Sequence, residues 1–179
     1  MSAGSAASAG PRRRGRGVVD IRLIARGGVY AAVYAGLTLV PGLNSLAYGQ
    51  VQFRVSEGLL PFATVDPAAV VGFTLGTAIA NLASPLGVVD VVFGASLTLL
   101  ATALMFRIGP QVRALAAPIV VNGLGVPLEL ALVLHLPLWL SVVWVTASEA
   151  AVMLTLGMIV LRLVRSGVLW PRGRPRARG

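Results

Sequence analysis

Cysteine and lysine are absent from this chain of 179 residues, and acidic residues number only six. Without cysteine the chain has no disulfide framework and no thiolate chemistry. Charged residues make up 12% of the chain, about half the share found in a soluble domain, whereas hydrophobic residues make up 56%. A water-soluble protein of this length could not bury so many apolar side chains. The composition therefore predicts an integral membrane protein.

Sequence features of catalysis are also scarce. The chain has no glycine-rich phosphate loop with a lysine, so we do not expect it to hydrolyse ATP itself. Its one histidine, His135, lies two residues before Pro137, where a lone histidine is more often a turn residue than a metal ligand. No nucleophile–base pair and no metal-ligand spacing stands out. We therefore predict that the protein is not an enzyme and has no catalytic residues, cofactor or metal site.

The basic residues are all arginine, and twelve of the fifteen lie in residues 12–26 and 162–178, on either side of the apolar part. A nucleic-acid-binding protein would carry a basic stripe on its folded surface, and that pattern is missing. Tails that set the topology beside anionic lipid headgroups explain the arginines better. We predict a basic, disordered N-terminal tail over residues 1–27 and a basic cytoplasmic C-terminal tail over residues 166–179.

Hydropathy and turn signals divide residues 28–165 into six predicted transmembrane helices. An even number of spans places Arg107 and Arg113 on the same side as both tails, and the positive-inside rule assigns that side to the cytoplasm. The expected fold class is an all-α integral membrane protein of the cell membrane with six transmembrane helices and cytoplasmic N- and C-termini. The predicted spans are residues 28–46, 49–63, 68–83, 88–106, 114–134 and 137–164.

The second span is unusual because Gln52, Arg54 and Glu57 lower its hydropathy. A charge at the centre of a membrane helix costs about 2.5–3.5 kcal/mol, and such residues are functional candidates. If the stretch is an α-helix, Gln50, Arg54 and Glu57 share one face, whereas Gln52 points elsewhere. Two interpretations remain open: an Arg54–Glu57 ion pair that fixes the packing of the bundle, or one wall of a small-molecule site.

Polar residues in the other spans favour a site, because all are predicted to lie between the outer surface and the midplane. Ion pairs used only for packing would not be sorted by depth. Four carboxylates accompany one arginine, so a ligand rich in N–H donors, a cation, protons or metal ions would match them. The candidate substrate-binding residues are Gln52, Arg54, Glu57, Asn81, Asp90, Asn122, Glu129 and Glu149.

Two stripes of small residues predict close helix contacts. In the third span Gly72, Gly76 and Ala80 recur at four-residue steps and indicate a packed bundle. The first span carries Ala31 and Ala35 at the same spacing. These two alanines could pack within the bundle or form a docking face for another membrane protein.

Two stretches are the most specific of these motifs, Gly-Gln-Val-Gln-Phe-Arg-Val-Ser-Glu-Gly-Leu-Leu-Pro at residues 49–61 and Ala-Asn-Leu-Ala-Ser-Pro-Leu-Gly-Val-Val-Asp at residues 80–90. Together they resemble the queuosine-precursor transporter (QueT) family. Val92-Phe-Gly94, residues 122–130, Ala147-Ser-Glu149 and Leu156-Gly157 also match, and the resemblance covers about residues 28–165.

This resemblance implies a substrate-binding S component of an energy-coupling factor (ECF) transporter. Such a component is a six-helix membrane protein that binds a vitamin or base at its outer face. It works with a transmembrane coupling subunit and two cytoplasmic ATPase subunits. The family uses small residues of the first helix to meet the coupling subunit, which favours the docking interpretation of Ala31 and Ala35.

The implied ligand is a 7-deazaguanine base, such as the 7-cyano or 7-aminomethyl base. Its N1–H and exocyclic amine could donate side by side to Glu129 or Glu149, and Asn122 could read a carbonyl or ring nitrogen. Asp90 could meet an aminomethyl cation. Three alternatives remain: a stand-alone proton-coupled secondary transporter of a small polar metabolite, an S component for another vitamin or base, and a membrane scaffold without a substrate.

Overall fold

The computed structural model describes residues 20–40 and 51–167, and within these residues it contains helices and no strand. We number the α-helices in chain order. The elements are α1 (Ile21–Leu39), a 3₁₀ helix (Val55–Thr64), α2 (Pro67–Asn81), α3 (Val88–Ile108), a short 3₁₀ turn (Val112–Leu115), α4 (Ala116–Leu134), α5 (Leu138–Val152), a π-helical segment (Met153–Gly157) and α6 (Met158–Ser166).

Three helical stretches of the described residues are long and apolar enough to cross a membrane. They are Val88–Ile108, Val112–Leu134 and the continuous helix Leu138–Ser166, whereas Pro67–Asn81 is a shorter apolar helix. Many large apolar side chains on these helices are exposed, as expected for contact with lipid. Together with the composition, these helices make the chain a helical membrane protein. The third to sixth predicted spans agree with the observed helices to within two residues at each end.

Helices α1 and α2 lie side by side and run in the same direction. A Cβ added to Gly72 would lie 2.6 Å from the carbonyl oxygen of Gly27, and one added to Gly76 would lie 2.9 Å from that of Ala31. Both distances are shorter than a Cβ contact allows, so the two backbones can meet here only because α2 has glycine. The predicted small-residue stripe of the third span is therefore confirmed as a close helix contact.

Helix α1 begins at Ile21, so residues 21–27 are helical and do not belong to a disordered tail. The carboxylate of Asp20 caps the helix by accepting a hydrogen bond from the backbone N–H of Arg22 at 3.0 Å. Arg26 is accommodated within the helix because its guanidinium lies 3.2 Å from the carboxylate of Asp66. Residues 41–46, the predicted end of this span, lie outside the described residues.

The predicted second span is not an α-helix. Residues 51–54 have no helical structure, and the 3₁₀ helix begins only at Val55. In the non-helical part, Val51 and Phe53 are exposed while Gln52 and Arg54 are buried. Alternation of apolar and polar residues is the pattern of extended chain. The prediction of an α-helix in this part of the second span was therefore wrong. Gln52 therefore shares the inward side with Arg54, and Gln50 lies outside the described residues.

The segment from Arg54 to Asp66 runs back along the bundle, opposite to α1. Arg54 lies beside Asp90, at the start of α3, and Asp66 contacts Arg26, near the start of α1. Ten residues of 3₁₀ helix extend over about 20 Å. We call the side of the bundle with loops 82–87 and 135–137 the His135 end, and the opposite side the Arg107 end.

Two apolar clusters lie beside a layer of buried polar side chains, which we call the polar layer. The smaller cluster, Val126, Leu130 and Val145, lies towards the His135 end. The larger cluster lies towards the Arg107 end, and its largest buried side chains are Tyr34, Leu60, Phe73, Met105, Leu115, Met153 and Leu161. The polar side chains beside and between these clusters are buried as well, so an unpaired charge among them is costly.

Candidate functional site

All eight predicted substrate-binding residues are buried, with exposures from 0% for Asn81 to 9% for Gln52. They come from the segment 51–54, the 3₁₀ helix and helices α2 to α5. Asn81, Asp90 and Glu129 lie towards the His135 end of their helices. Burial brings the side chains together but does not by itself test their predicted role in binding.

Asp90, in the first turn of α3, is held on both of its oxygens. The side-chain amide of Asn81 donates to its Oδ1 and to its backbone carbonyl, each at 2.8 Å. The guanidinium Nη2 of Arg54 lies 3.9 Å from its Oδ2. Gly94 makes room, because a Cβ there would collide with the amide of Asn81. This internal engagement argues against the predicted contact between Asp90 and an aminomethyl cation.

Glu57, in the first turn of the 3₁₀ helix, is connected to α1. The hydroxyl of Tyr34 donates to its Oε1, and Thr77 of α2 lies near the same hydroxyl. The Thr77 hydroxyl lies 3.1 Å from that of Thr98 on α3. Arg54 acts on Glu57 through its charge, while the carboxylate itself is held by Tyr34. Sequence reasoning assigned no role to Tyr34, although it lies one turn after Tyr30 on the same face.

Glu129 and Glu149 complete the polar layer from the other side of the bundle. Glu149 of α5 lies near the side chain of Asn122 of α4, and the charges of Glu57 and Arg54 act on it. Glu129 of α4 interacts electrostatically with Arg54 and with Asp90. The guanidinium of Arg54 is therefore the cation shared by all four predicted carboxylates.

Within the described residues, four buried side-chain oxygens of this layer have no hydrogen-bond partner. A buried polar atom left unsatisfied costs about 1–3 kcal/mol, and native structures contain few of them. All four are acceptors, so a bound molecule would have to supply N–H or O–H donors to satisfy them. They are Oε2 of Glu57, Oδ1 of Asn81, Oε1 of Glu129 and Oε1 of Glu149.

A second buried polar cluster lies at the Arg107 end, and the sequence analysis did not predict it. The carboxylate of Asp66 accepts from the hydroxyl of Tyr30 at 3.3 Å and from the backbone N–H of Ala68 at 3.0 Å, and it pairs with Arg26. Because both of its oxygens are engaged, this cluster caps α2 and ties it to α1 instead of offering a binding site.

Ala31 and Ala35 are each 6% exposed and lie on the buried side of α1, where Ala31 meets Gly76 of α2. The described residues thus show the internal-packing interpretation, and docking at these two alanines stays a prediction. Gly28, Ala32 and Gly36 lie on the exposed side of α1 at four-residue steps. A Cβ added to Gly28 or Gly36 would meet nothing within 4 Å.

Replacing Tyr34 with phenylalanine should destabilise the fold, because Oε1 of Glu57 then loses its donor while Oε2 already lacks one. We expect a loss of about 1–3 kcal/mol in the free energy of unfolding, measured by titration with a denaturing detergent. Tyr30→Phe is the matched control, because Asp66 keeps Arg26 and the N–H of Ala68. Equal losses in the two variants would contradict the assignment.

The chain is similar to a protein family and to a curated protein. The family model described as QueT transporter matches residues 24–166. The curated protein "Queuosine precursor transporter QueT" of Lactococcus lactis subsp. cremoris (strain MG1363) is 41% identical over 71 residues, which are 40% of this chain and 41% of that protein. The match thus spans less than half the length of this relative. No solved structure matches the chain.

Proposed function

The chain belongs to the QueT transporter family, and from this membership we propose that it carries a queuosine precursor across the cell membrane. The name of the Lactococcus relative supports this substrate, although the match covers only 41% of that protein. The observation that carries the proposal is the set of four unsatisfied acceptor oxygens in the polar layer. In a membrane scaffold without a ligand these oxygens would remain unsatisfied, and they would only lower its stability.

A 7-deazaguanine base fits these acceptors. Its N1–H and exocyclic amine point in the same direction, so one carboxylate can accept both hydrogen bonds. Glu129 and Glu149 each have an unsatisfied oxygen for this edge. Asn122 would read the base carbonyl or a ring nitrogen, and Gln52 would line the same wall as Arg54. Hydrogen bonds of this kind to a charged group contribute about 1.5–3 kcal/mol each.

We further propose that the chain crosses the membrane six times, with both termini cytoplasmic, and acts as the S component of an ECF transporter. The return course of the segment between Arg54 and Asp66 supports an even number of crossings. Energy would come from ATPase subunits through a transmembrane coupling subunit. We place the contact with that subunit on Gly28, Ala32 and Gly36, because these small residues are exposed whereas Ala31 and Ala35 are not.

Glu129→Gln and Glu149→Gln test the proposed site. Each substitution keeps the shape of the side chain and removes the charge that strengthens the hydrogen bonds to the base. We expect the dissociation constant of the 7-aminomethyl base, measured by calorimetry on purified protein, to rise about tenfold or more in each variant. Ser96→Ala, on the exposed side of α3, is the control and should bind as the original does. Unchanged affinity in both glutamine variants would refute the site.

The source of energy separates this proposal from a stand-alone proton-coupled transporter. Uptake by an S component stops when the ATPase subunits are removed. Uptake that continues without them and collapses when a protonophore is added would identify the secondary transporter instead. Heat stability of the purified chain that no base, purine or vitamin increases would favour the scaffold.

A further inference from the structure

The four carboxylates of the polar layer fall into two pairs according to the elements that carry them. Asp90 and Glu129 lie on α3 and α4, which pack against each other, and the guanidinium of Arg54 forms its ion pair with Asp90. Glu57 and Glu149 lie on the 3₁₀ helix and α5, which also contact each other. Arg54 acts on this second pair through its charge.

Apart from Arg54, the polar neighbours of the Glu57–Glu149 pair are neutral. The hydroxyl of Tyr34 donates to Glu57, and the side chain of Asn122 lies near the carboxylate of Glu149. Neither neighbour carries a charge, so neither balances a carboxylate. One oxygen of each residue remains unsatisfied, Oε2 of Glu57 and Oε1 of Glu149, and both residues are more than nine-tenths buried. Buried carboxylates of this kind are stabilised by a cation with several donors.

We propose that the site selects a ligand carrying a primary ammonium group over a neutral ligand built on the same ring, and that the Glu57–Glu149 pair accepts this ammonium. The inference rests on the proposed function and assigns the charge requirement within it. An ammonium group offers three donors and one positive charge, which match two unsatisfied oxygens and the surplus of carboxylates over guanidinium. A nitrile at the same position offers only an acceptor, and would face oxygens that are acceptors too.

This assignment places the ammonium of the ligand at the Glu57–Glu149 pair, whereas the sequence had suggested Asp90. Asp90 already accepts from Asn81 and pairs with Arg54, so a ligand cation there would compete with an internal partner. At Glu57 and Glu149 the same cation fills empty acceptor positions. Glu129 is then left for the donor edge of the ring, which the two kinds of ligand share.

Two ligands with the same ring distinguish recognition of the ammonium charge from recognition of the ring. The 7-aminomethyl base carries the ammonium near neutral pH, and the 7-cyano base is neutral. We expect calorimetry on the full purified chain at pH 7 to give a dissociation constant at least tenfold lower for the aminomethyl base. Glu57→Gln and Glu149→Gln should bring the ratio of the two constants towards one. Glu129→Gln is the matched control, because it should weaken both bases together and leave the ratio unchanged.

Each outcome decides between the inference and the function on which it rests. A cyano base that binds as tightly as the aminomethyl base overturns the selectivity and leaves the proposed transport intact. A ratio that neither Glu57→Gln nor Glu149→Gln changes overturns the assignment to this pair. Binding of neither base to the original protein overturns the proposed function itself. The comparison of the two probes on the original protein requires no variant, so it stands even if a substitution prevents folding.

Discussion

Arg54→Gln is expected to lower the free energy of unfolding by about 3–5 kcal/mol, the usual effect of removing one partner from a buried ion pair. The guanidinium is 8% exposed, forms an ion pair with Asp90 and interacts electrostatically with Glu57, Glu129 and Glu149. Its removal leaves four buried carboxylates with no cation among the described residues of the polar layer. Glutamine can still form hydrogen bonds, so the loss of stability reflects mainly the loss of the positive charge.

A double substitution tests whether Asp90 is the partner that matters. In Arg54→Gln with Asp90→Asn, the uncompensated charge at Asp90 is also removed, so we expect part of the stability lost in the single variant to return. Arg113→Gln is the control for the loss of an arginine, because Arg113 is exposed and surface substitutions usually change stability by less than about 0.5 kcal/mol. Detergent-induced unfolding followed by circular dichroism compares the original protein, the single variants Arg54→Gln and Asp90→Asn, the double variant and the Arg113→Gln control. Losses that simply add in the double variant would contradict a direct Arg54–Asp90 interaction.

The sequence was sufficient to predict the long helices and the composition of the polar layer. Runs such as Val88–Ile108 are continuous and apolar, and turn residues bound them, so their limits could be predicted within two residues. The candidate residues could be found because a charge in an apolar run is costly and therefore conspicuous. Which carboxylate lies beside Arg54 could not be predicted. Glu57 is nearer along the chain, but the ion pair with Asp90 depends on how α3 packs against segment 51–54.

Local patterns in two segments supported more than one structure, and the helical interpretation of the first segment was wrong. Residues 51–54 alternate apolar and polar side chains, which is the signature of extended chain, yet the spacing of Gln50, Arg54 and Glu57 also fits an α-helix. In α1 the small residues come in neighbouring couples, Gly27-Gly28, Ala31-Ala32 and Ala35-Gly36. These couples form two parallel stripes, and periodicity alone does not tell which of them faces α2.

The second stripe leads to the prediction with the largest expected effect on transport. Ala32 lies on the exposed side of α1 between Gly28 and Gly36, where neighbouring backbones can approach closely. Ala32→Leu adds a bulky side chain to this surface without filling any space inside the chain. We expect ATP-dependent uptake of the base to fall at least tenfold and copurification with the coupling subunit to be lost. The dissociation constant of the base should stay within about twofold, because no contact in the polar layer changes.

Two further substitutions separate a lost docking contact from a general defect. Ala151→Leu makes the same change on the exposed side of α5, so it should leave both uptake and copurification intact. Ala31→Leu places the bulk in the contact with Gly76, where overpacking costs about 1–3 kcal/mol, and it should destabilise the purified chain. Normal uptake by the Ala32→Leu variant would show that the coupling subunit does not dock on this side of α1. Equal losses in Ala32→Leu and Ala151→Leu would show that any added bulk at the lipid boundary impairs transport, because the two exposed surfaces then behave alike.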